Sequence, residues 1–522
     1  MELIWLALAL GGGLAAARLQ LPVFVGYLMV GLALGLVGQQ STPLLVEAGE
    51  IGVLLLLFGV GLHLRPATLF NRPVLIGGGL HLTASLLVLG VVAWALGLTA
   101  IEALLCALLL SFSSTVLAAK TLDTAGELGA FHGRLAIGIL IVQDCVAVLV
   151  MIAVSETALS WWTLIVLPGL ACLRWPLLWL LSAIDSDELL LLAAALLALG
   201  VARLFTELGL SAELGAIAAG ALVAAHPRGQ ALAAHLWAVK ELLLSAFFLS
   251  VGLQVSPGLT DWALAAALAL LLPAKAWLFF ALLVSLGLRA RTAFLTGNAL
   301  TSYSEFTLIA GMAAHAQGLL SSTVLSVLTL ATVLSFVIHL PHNRLGHAIY
   351  DRFERGLRAF ERDVPHPDEP VASIGAAHYL VLGMGRTGTA AYDFLRRSGQ
   401  TAAGLDTDPD VLSRHVAAER RVAYGDAQDR ELWRDLRLRS VRGAVVALPN
   451  APGRLRATRL LREYAPQLVI STFAMHAHEA EALREAGADN VSYLLAEAGE
   501  RMAELSCTPA DPGTDERPRL PS

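Results

Sequence analysis

Lysine is almost missing from this chain: Lys120, Lys240 and Lys275 are the three in 522 residues, while Lys and Arg together number 36. Charged residues of any kind make up 15% of the sequence against 56% hydrophobic, well short of the roughly 25% charged that a soluble domain carries. Cysteine is as sparse. Cys106, Cys145 and Cys172 lie in apolar segments and Cys507 in the tail. Neither a disulfide framework nor a metal-ligand spacing results, and the four read as small packing residues. The formal net charge of −6 is mild and spread along the chain, which gives no support for a nucleic-acid partner. The start has neither the basic region nor the small-residue cleavage site of a signal peptide, so Leu3 onward is expected to form a first membrane span.

What charge there is sits towards one end. Residues 1–341 hold 12 Lys and Arg and 16 Asp and Glu, against 24 and 26 in residues 342–522. The first part is expected to be a multi-spanning α-helical membrane domain, the second a soluble Rossmann-like α/β domain. About 20 apolar residues cross a bilayer, which predicts about thirteen spans. They lie near 3–19, 21–38, 44–62, 74–98, 102–121, 134–155, 161–183, 188–206, 208–225, 237–254, 262–288, 292–314 and 319–341. The seventh is interrupted by Pro168, Arg174 and Pro176. Arg18, Arg65, Arg72, Lys120, Arg134, Arg228, Lys240, Arg289 and Arg291 fall in alternate connections. Glu47, Glu102, Glu156 and Asp261 occupy the others, with Arg203 the exception. The positive-inside rule then puts the N-terminus outside and the C-terminal domain in the cytoplasm. Residues 342–362 read as an amphipathic helix, apolar at Leu345, Ile349, Phe353, Leu357 and Phe360 and basic at Arg344, Arg352, Arg355 and Arg358. It suits an inner-leaflet surface or a solvated connection equally. With the Pro-rich stretch after it, it makes a linker over 342–377.

Three ionisable residues lie deep in apolar runs: Asp144 within Ile139–Val150, Lys275 within Leu271–Trp277, and Glu305 within Leu300–Thr307. A charge at the bilayer centre costs at least roughly 2.5–3.5 kcal/mol, so each is a functional candidate, set against a snorkelling or neutralised side chain. Asp144 is the strongest of the three. Ser111, Ser113, Ser114 and Thr115 crowd hydroxyls into the fifth span, and Thr301, Ser302, Tyr303 and Ser304 do the same in the twelfth. Interrupted helices at corresponding places in two halves point to the midplane site of a transporter; the alternative is hydroxyls that only pack helices together. The fifth and twelfth spans are seven apart, as are the fourth and eleventh and the sixth and thirteenth, which supports an inverted repeat.

The stretches Val25–Gly35, Gly52–Leu62, Leu208–Ala216 and Phe247–Leu253 add to a longer run, from Ser113-Ser114-Thr115 through His132–Leu140 to Gln143-Asp144. Together they resemble the monovalent cation:proton antiporter-2 family, most closely its potassium-efflux (Kef-type) branch. The resemblance implies a dimerisation domain and a six-helix core in which two broken helices cross beside an ion-binding carboxylate, here Asp144. Electrogenic relatives carry a second acid one residue earlier; Gln143 stands there in this chain, which suits exchange of one cation for one proton. Lys275 matches a core lysine that pairs with that acid, so Gln143 leaves it without the usual partner. Ser304-Glu305-Phe306 stands where the family commonly has Gly-Glu-Phe, and Glu305 joins Asp144, Gln143 and Lys275 as a transport candidate. On this reading a proton or a monovalent cation (K+ or Na+) occupies Asp144, never both. Ser113, Ser114, Thr115 and Gln143 offer oxygens to the dehydrated ion, and alternating access turns the exclusion into antiport.

The soluble part opens with a short apolar strand, His378–Leu382, then Gly383-Met384-Gly385-Arg386-Thr387-Gly388 and an amphipathic helix from Thr389 to Arg397. A second strand ends at Asp406, with Asp408 after it. Glycines allow a tight turn and close backbone approach, a helix N-terminus attracts phosphate, and an acid about 20 residues on can bind a ribose hydroxyl. Gly383, Gly385, Arg386, Gly388, Asp406 and Asp408 are therefore the expected nucleotide-binding residues. Tyr424-Gly425-Asp426-Ala427 and Gly443–Leu448 resemble the RCK (TrkA-N-type) domain that regulates potassium channels and transporters. That resemblance adds Gly425 and Asp426 to the site, and implies dimerisation and NAD(H) or AMP as a regulatory ligand over 378–506. The tail 507–522 is expected to be disordered.

The function expected is nucleotide-gated cation:proton antiport in a bacterial inner membrane, not enzymatic catalysis. The partners are lipid, a second copy of the chain through both domains, and glutathione or an ancillary regulator. Two alternatives stand beside it. A ligand-gated potassium channel should carry a Thr-Val-Gly-Tyr-Gly filter, and the sequence has none. A membrane-anchored NAD-dependent oxidoreductase should show a catalytic base and a substrate pocket in the soluble domain, and no such pattern is apparent.

Overall fold

The structure, a computed structural model, describes residues 2–19, 21–63, 72–125, 127–128, 130–154, 181, 183–184, 186–208, 212–224, 229–255, 257–362, 374–436 and 438–507. The chain divides into two compact units: Met1–Leu122 with His132–His366, and Asp123–Phe131 with Pro367–Ser522.

The first unit is helical. Its elements are α1 (Glu2–Arg18), α2 (Val23–Leu36), α3 (Pro43–His63), α4 (Arg72–Ala95), α5 (Ala100–Ser111), α6 (Thr115–Ala125), α7 (Phe131–Val154) and α8 (Asp187–Glu207). Then come α9 (Ala212–Val223), α10 (Gly229–Gln254), α11 (Leu259–Leu270), α12 (Leu272–Ser285), α13 (Ala290–Ala299), α14 (Glu305–Ala316), α15 (Ser322–Arg344) and α16 (Gly346–Arg358). Among the described residues, seven helical stretches are long and apolar enough to cross a bilayer, including Pro43–Leu62, Arg72–Ala95, Phe131–Val154 and Leu259–Ser285. The expected seventh span, 161–183, falls almost wholly outside the described residues, as do most of the linker after 362 and the tail after 507.

Burial runs as a bilayer demands. Phe24, Leu57, Leu109, Phe112, Ala147, Phe248, Phe306 and Phe336 form one inner cluster. Leu87, Val88, Val91, Trp94, Leu192 and Leu196 are exposed on the outside, where hydrocarbon rather than water is the fitting solvent. Two helix pairs come closer than side chains normally allow. A methyl on Gly220 of α9 would run into the Phe58 carbonyl of α3, and one on Gly252 of α10 into the Leu28 carbonyl of α2. Small residues at such crossings let backbones touch, the usual basis of helix association in lipid.

Two elements depart from the expected spans. The eleventh, anticipated as one helix over 262–288, is two, jointed at Leu271. Pro273 sits in the first turn of α12, where its missing N–H is tolerated but cannot continue α11. Beside the joint the Leu268 carbonyl accepts both from the Leu271 N–H (3.1 Å) and from Tyr303 Oη (2.7 Å). At the other end, α15 runs past Pro341 to Arg344, and the amphipathic helix starts only at Gly346 and stops at Arg358. The Leu345 N–H closes onto the Pro341 carbonyl at 3.2 Å, so the proline is taken into the longer helix.

The second unit carries a six-stranded parallel sheet of order β3-β2-β1-β4-β5-β6, with β1 Tyr379–Leu382, β2 Ala402–Asp406, β3 Val422–Tyr424, β4 Gly443–Val446, β5 Val469–Ala474 and β6 Asn490–Tyr493. Its helices include α17 (Arg386–Arg397) and α18 (Pro409–Ala417). Central strands read as unbroken apolar runs because both faces are covered: Leu380, Leu382, Leu405, Val446 and Ile470 are buried with Trp433 and Leu461. The order reverses between β1 and β4, which opens a crevice beyond the strand ends, where such sheets bind ligands.

The helix contact at Gly220 is testable by thermal unfolding in detergent. Gly220→Ala should destabilise the protein by about 1–3 kcal/mol through overpacking. Gly79→Ala on α4, where an added methyl meets nothing within 4 Å, should leave the melting temperature unchanged or raise it.

Candidate functional site

The two hydroxyl-rich stretches are breaks in helices. One lies between Ser111 of α5 and Thr115 of α6, the other between Ala299 of α13 and Glu305 of α14. Every helix end leaves backbone groups without partners, and hydrocarbon supplies none. Here the breaks satisfy each other. Ser113 Oγ donates to the Leu300 carbonyl (2.9 Å), the Ser114 N–H to Ser302 Oγ (3.2 Å), and Thr307 Oγ1 to the Leu109 carbonyl (2.7 Å).

Lys275 occupies the junction. Its ammonium donates to the carbonyls of Phe112 (2.7 Å), Ser302 (2.8 Å) and Leu110 (3.3 Å), and lies 5.2 Å from the centre of the Tyr303 ring. An ammonium has three donors, and carbonyls from both breaks take them. The partner the sequence left open is therefore backbone. Gln143, fully buried, holds the first break from the other side: its Oε1 accepts from the Ser113 N–H (2.9 Å) and its Nε2 donates to the Ser111 carbonyl (3.4 Å). A carboxylate here would accept but not donate.

Asp144 follows on α7 and is 5% exposed. Its Oδ2 accepts from Thr115 Oγ1 at 2.9 Å, at the first residue of α6. Among the oxygens anticipated beside it, Thr115 is the one with a direct hydrogen bond to the carboxylate. Ser114 Oγ instead caps α6 by accepting from the Leu117 N–H (3.2 Å), while Ser113 and Gln143 stabilise the break. Glu305 opens α14, is 4% exposed, and its Oε2 has no hydrogen-bond partner among the described residues. It stands where the second break ends. Asp144, Thr115, Gln143, Lys275 and Glu305 thus belong to one crossing.

The sequence did not single out the residues of α15 that support this crossing. Ser335 Oγ accepts from the Tyr303 N–H (3.0 Å), and a His339 ring nitrogen bonds the Thr301 carbonyl (2.8 Å). The signal was present in the polar residues that recur along this helix, Ser335, His339 and Asn343 among them.

In the second unit a cleft of about 360 Å³ lies beyond β1, lined by Gly383, Gly385, Arg386, Asp406, Asp408, Gly425 and Asp426 among others. Gly383 has φ +88°, a left-handed turn, and a methyl on it would press on the Ala447 carbonyl. A methyl on Gly388 would strike the Gly383 carbonyl, so that glycine lets the helix reach the strand. Gly388 is buried in α17 rather than lining the cleft. Asp406 anchors the turn: Oδ2 accepts from the Met384 N–H (2.6 Å) and Oδ1 from the Asp408 N–H (2.9 Å). A carboxylate has about four acceptor positions, so Asp406 retains capacity for ribose hydroxyls. At Gly385 an added methyl meets nothing within 4 Å. The chain therefore leaves open, at the N-terminus of α17, the space a pyrophosphate or phosphate would fill, and the residues fit a nucleotide.

Residues 5–341 match the family described as sodium/hydrogen exchanger, transmembrane, and residues 379–494 match the TrkA-N domain. The chain is 29% identical to the putative K(+) efflux antiporter KefB of Alkalimonas amylolytica, covering 92% of this chain and 77% of that protein. It is 30% identical to the glutathione-regulated potassium-efflux system protein KefC of Cronobacter sakazakii, covering 90% and 79%. Among solved structures, the TrkA-N domain of inner membrane protein ybaL from Escherichia coli is 22% identical, with a TM-score of 0.24, over 25% of this chain and 96% of that one.

Replacing Lys275 by Met removes the donor to three carbonyls at once. The expected result is a loss of more than about 3 kcal/mol of stability, read as a large fall in melting temperature in detergent. A Met variant as stable as the parent would remove Lys275 from the role of holding the crossing.

Proposed function

The chain belongs to the sodium/hydrogen exchanger family, in its Kef-type potassium-efflux branch with a C-terminal TrkA-N domain, and from that premise we propose that it exchanges potassium for protons with Asp144 as the shared site. Such a protein is a transporter and not an enzyme. The observation that carries the reading is the placement of one buried carboxylate, held by the Thr115 hydroxyl, at the crossing of two broken helices.

Physical competition supplies the mechanism. Burial penalises a bare carboxylate, so Asp144 needs a counter-charge, either a covalently bound proton or a dehydrated cation. The site oxygens are neutral apart from Glu305, and Lys275 is committed to backbone. Proton and cation therefore compete for one carboxylate. If the crossing is open to one side of the membrane at a time, a cation leaves only when a proton, or another cation, replaces it. With Gln143 in place of a second adjacent acid, the exchange is one for one.

The rest of the proposal concerns control and setting. A nucleotide, AMP or NAD(H), binds the cleft between Gly385 and Asp406 and regulates transport. The protein works as a homodimer in the bacterial inner membrane, N-terminus outside and TrkA-N domain in the cytoplasm, with glutathione as a further regulator. The orientation rests on the alternation of basic connections, and the glutathione arm on the name of the KefC relative.

Two measurements test this. In proteoliposomes with a pH-sensitive dye, potassium pulses should drive proton flux in the parent, and Asp144→Asn should abolish it while the protein still inserts. Sodium in place of potassium sets the selectivity, and exchange retained by Asp144→Asn would sink the central assignment. In thermal shift assays, AMP or NADH should stabilise the parent. Gly385→Ala, whose added methyl meets nothing within 4 Å but enters the phosphate position, should lose that shift and keep the parent's melting temperature without ligand.

A further inference from the structure

The last long helix of the first unit carries two polar side chains one turn apart, His339 and Asn343, on one face. His339 is fully buried. One of its ring nitrogens, Nδ1, lies 2.8 Å from the Thr301 carbonyl, in the second break. A carbonyl only accepts, so Nδ1 carries the proton, and in the neutral ring Nε2 is then an acceptor. That settles the rest. Asn343 Nδ2 donates to His339 Nε2 (3.3 Å) and to Thr121 Oγ1 on α6 (3.1 Å). Thr121 passes its own proton back to the Leu117 and Ala118 carbonyls (3.0 and 2.9 Å). Asn343 Oδ1 accepts from Asn298 Nδ2, in the last turn of α13, at 3.4 Å. One file of hydrogen bonds thus joins the continuation of the first broken helix to the end of α13 and to the break that follows it.

Its outer end meets a further element. A methyl on Gly346, the first residue of the amphipathic helix α16, would fall 2.5 Å from Asn298 Nδ2. The same region is tied to α13 by the Glu361 carboxylate, which accepts from the Ala290 N–H at 2.6 Å, and by Tyr350 against Phe294 at 5.8 Å between ring centres.

We propose that His339, Asn343, Asn298 and Thr121 form a positioning strap that holds the two broken helices in the geometry that binds the cation, and that Gly346 makes the strap sensitive to the seat of α16. None of the four touches the ion; they act through the Thr301 carbonyl and the ends of α6 and α13. The proposal rests on the crossing being the ion site. It extends that reading to residues that should set affinity rather than chemistry.

The test is potassium-driven proton flux in proteoliposomes across a range of potassium concentrations. His339→Leu and Thr121→Val should each raise the half-saturating potassium concentration by about threefold to tenfold, the size of one hydrogen bond, with a smaller effect on maximal rate. The double variant should lose little more than the worse single one, because both cut the same file. His339→Asn, which keeps a donor near the Nδ1 position, should recover most of the affinity, and Gly346→Ala should reproduce the weakening by pressing on Asn298 with all four strap residues left in place. Unchanged affinity in His339→Leu, or strictly additive effects in the double variant, would overturn the strap. Hydrogen exchange at residues 300–304 gives a readout that needs no transport: His339→Leu should speed it. If the parent drives no cation-dependent flux, the ion-site assignment fails while the exchange experiment still decides the strap, and unaltered exchange at 300–304 would refute it.

Discussion

A helix that stops in the middle of a membrane exposes carbonyl and N–H groups to a medium that cannot solvate them, and the first unit is organised around that constraint. Two helices stop, and they stop against each other. The hydroxyls of Ser113, Ser302 and Thr307, the amide of Gln143 and the ammonium of Lys275 supply the partners that water would supply elsewhere. The result is a small polar region made almost wholly of neutral groups and one committed cation, with Asp144 and Glu305 as its acids. A carboxylate in such surroundings discriminates between counter-ions because it cannot remain bare. On the proposed reading, ion exchange follows from that condition rather than from any reactive group.

Lys275 shows how one residue changes meaning with its neighbour. A second acid in place of Gln143 would offer a lysine at this position a charged partner. With Gln143, it turns to the backbone of both breaks, and Gln143 takes part in the same task by accepting from Ser113 and donating to Ser111. The pair thereby spends its hydrogen bonds on backbone groups of the breaks rather than on a carboxylate. The Rossmann-like unit uses backbone in the opposite sense. There α17 starts open at Gly385, with room for a ligand rather than a protein partner, while the Gly383 N–H closes onto the Leu405 carbonyl and Asp406 holds the Met384 and Asp408 amides.

Much of this was legible in the sequence because the signals are local. Apolar length marked the spans, hydroxyl clusters at 111–115 and 301–304 marked the breaks, and Asp144 stood out as a charge in an apolar run. The glycine turn and the acid at the end of β2 marked the second unit. What escaped depends on contacts that leave no pattern. Carbonyl acceptors carry no sequence signature, so the partners of Lys275 were invisible although its isolation was plain. Ser113 and Ser114 read as ion ligands by type, and the bonds that the crossing adds, from Ser113 to the Leu300 carbonyl and from the Leu117 N–H to Ser114, were not legible. The joint at Leu271 was foreshadowed by Pro273, and the joint at Leu345 was not, because Pro341 is absorbed within α15.

The central claim is that proton and cation compete for one carboxylate, and it is tested most directly by binding rather than by transport. Potassium affinity of the purified parent protein, measured by calorimetry at a series of pH values in buffers of different ionisation enthalpy, should weaken as pH falls, approaching tenfold per unit in the range where the site is protonated. Each cation bound should release up to one proton. A potassium affinity that does not change with pH, or binding that releases no proton at any pH, would contradict the account.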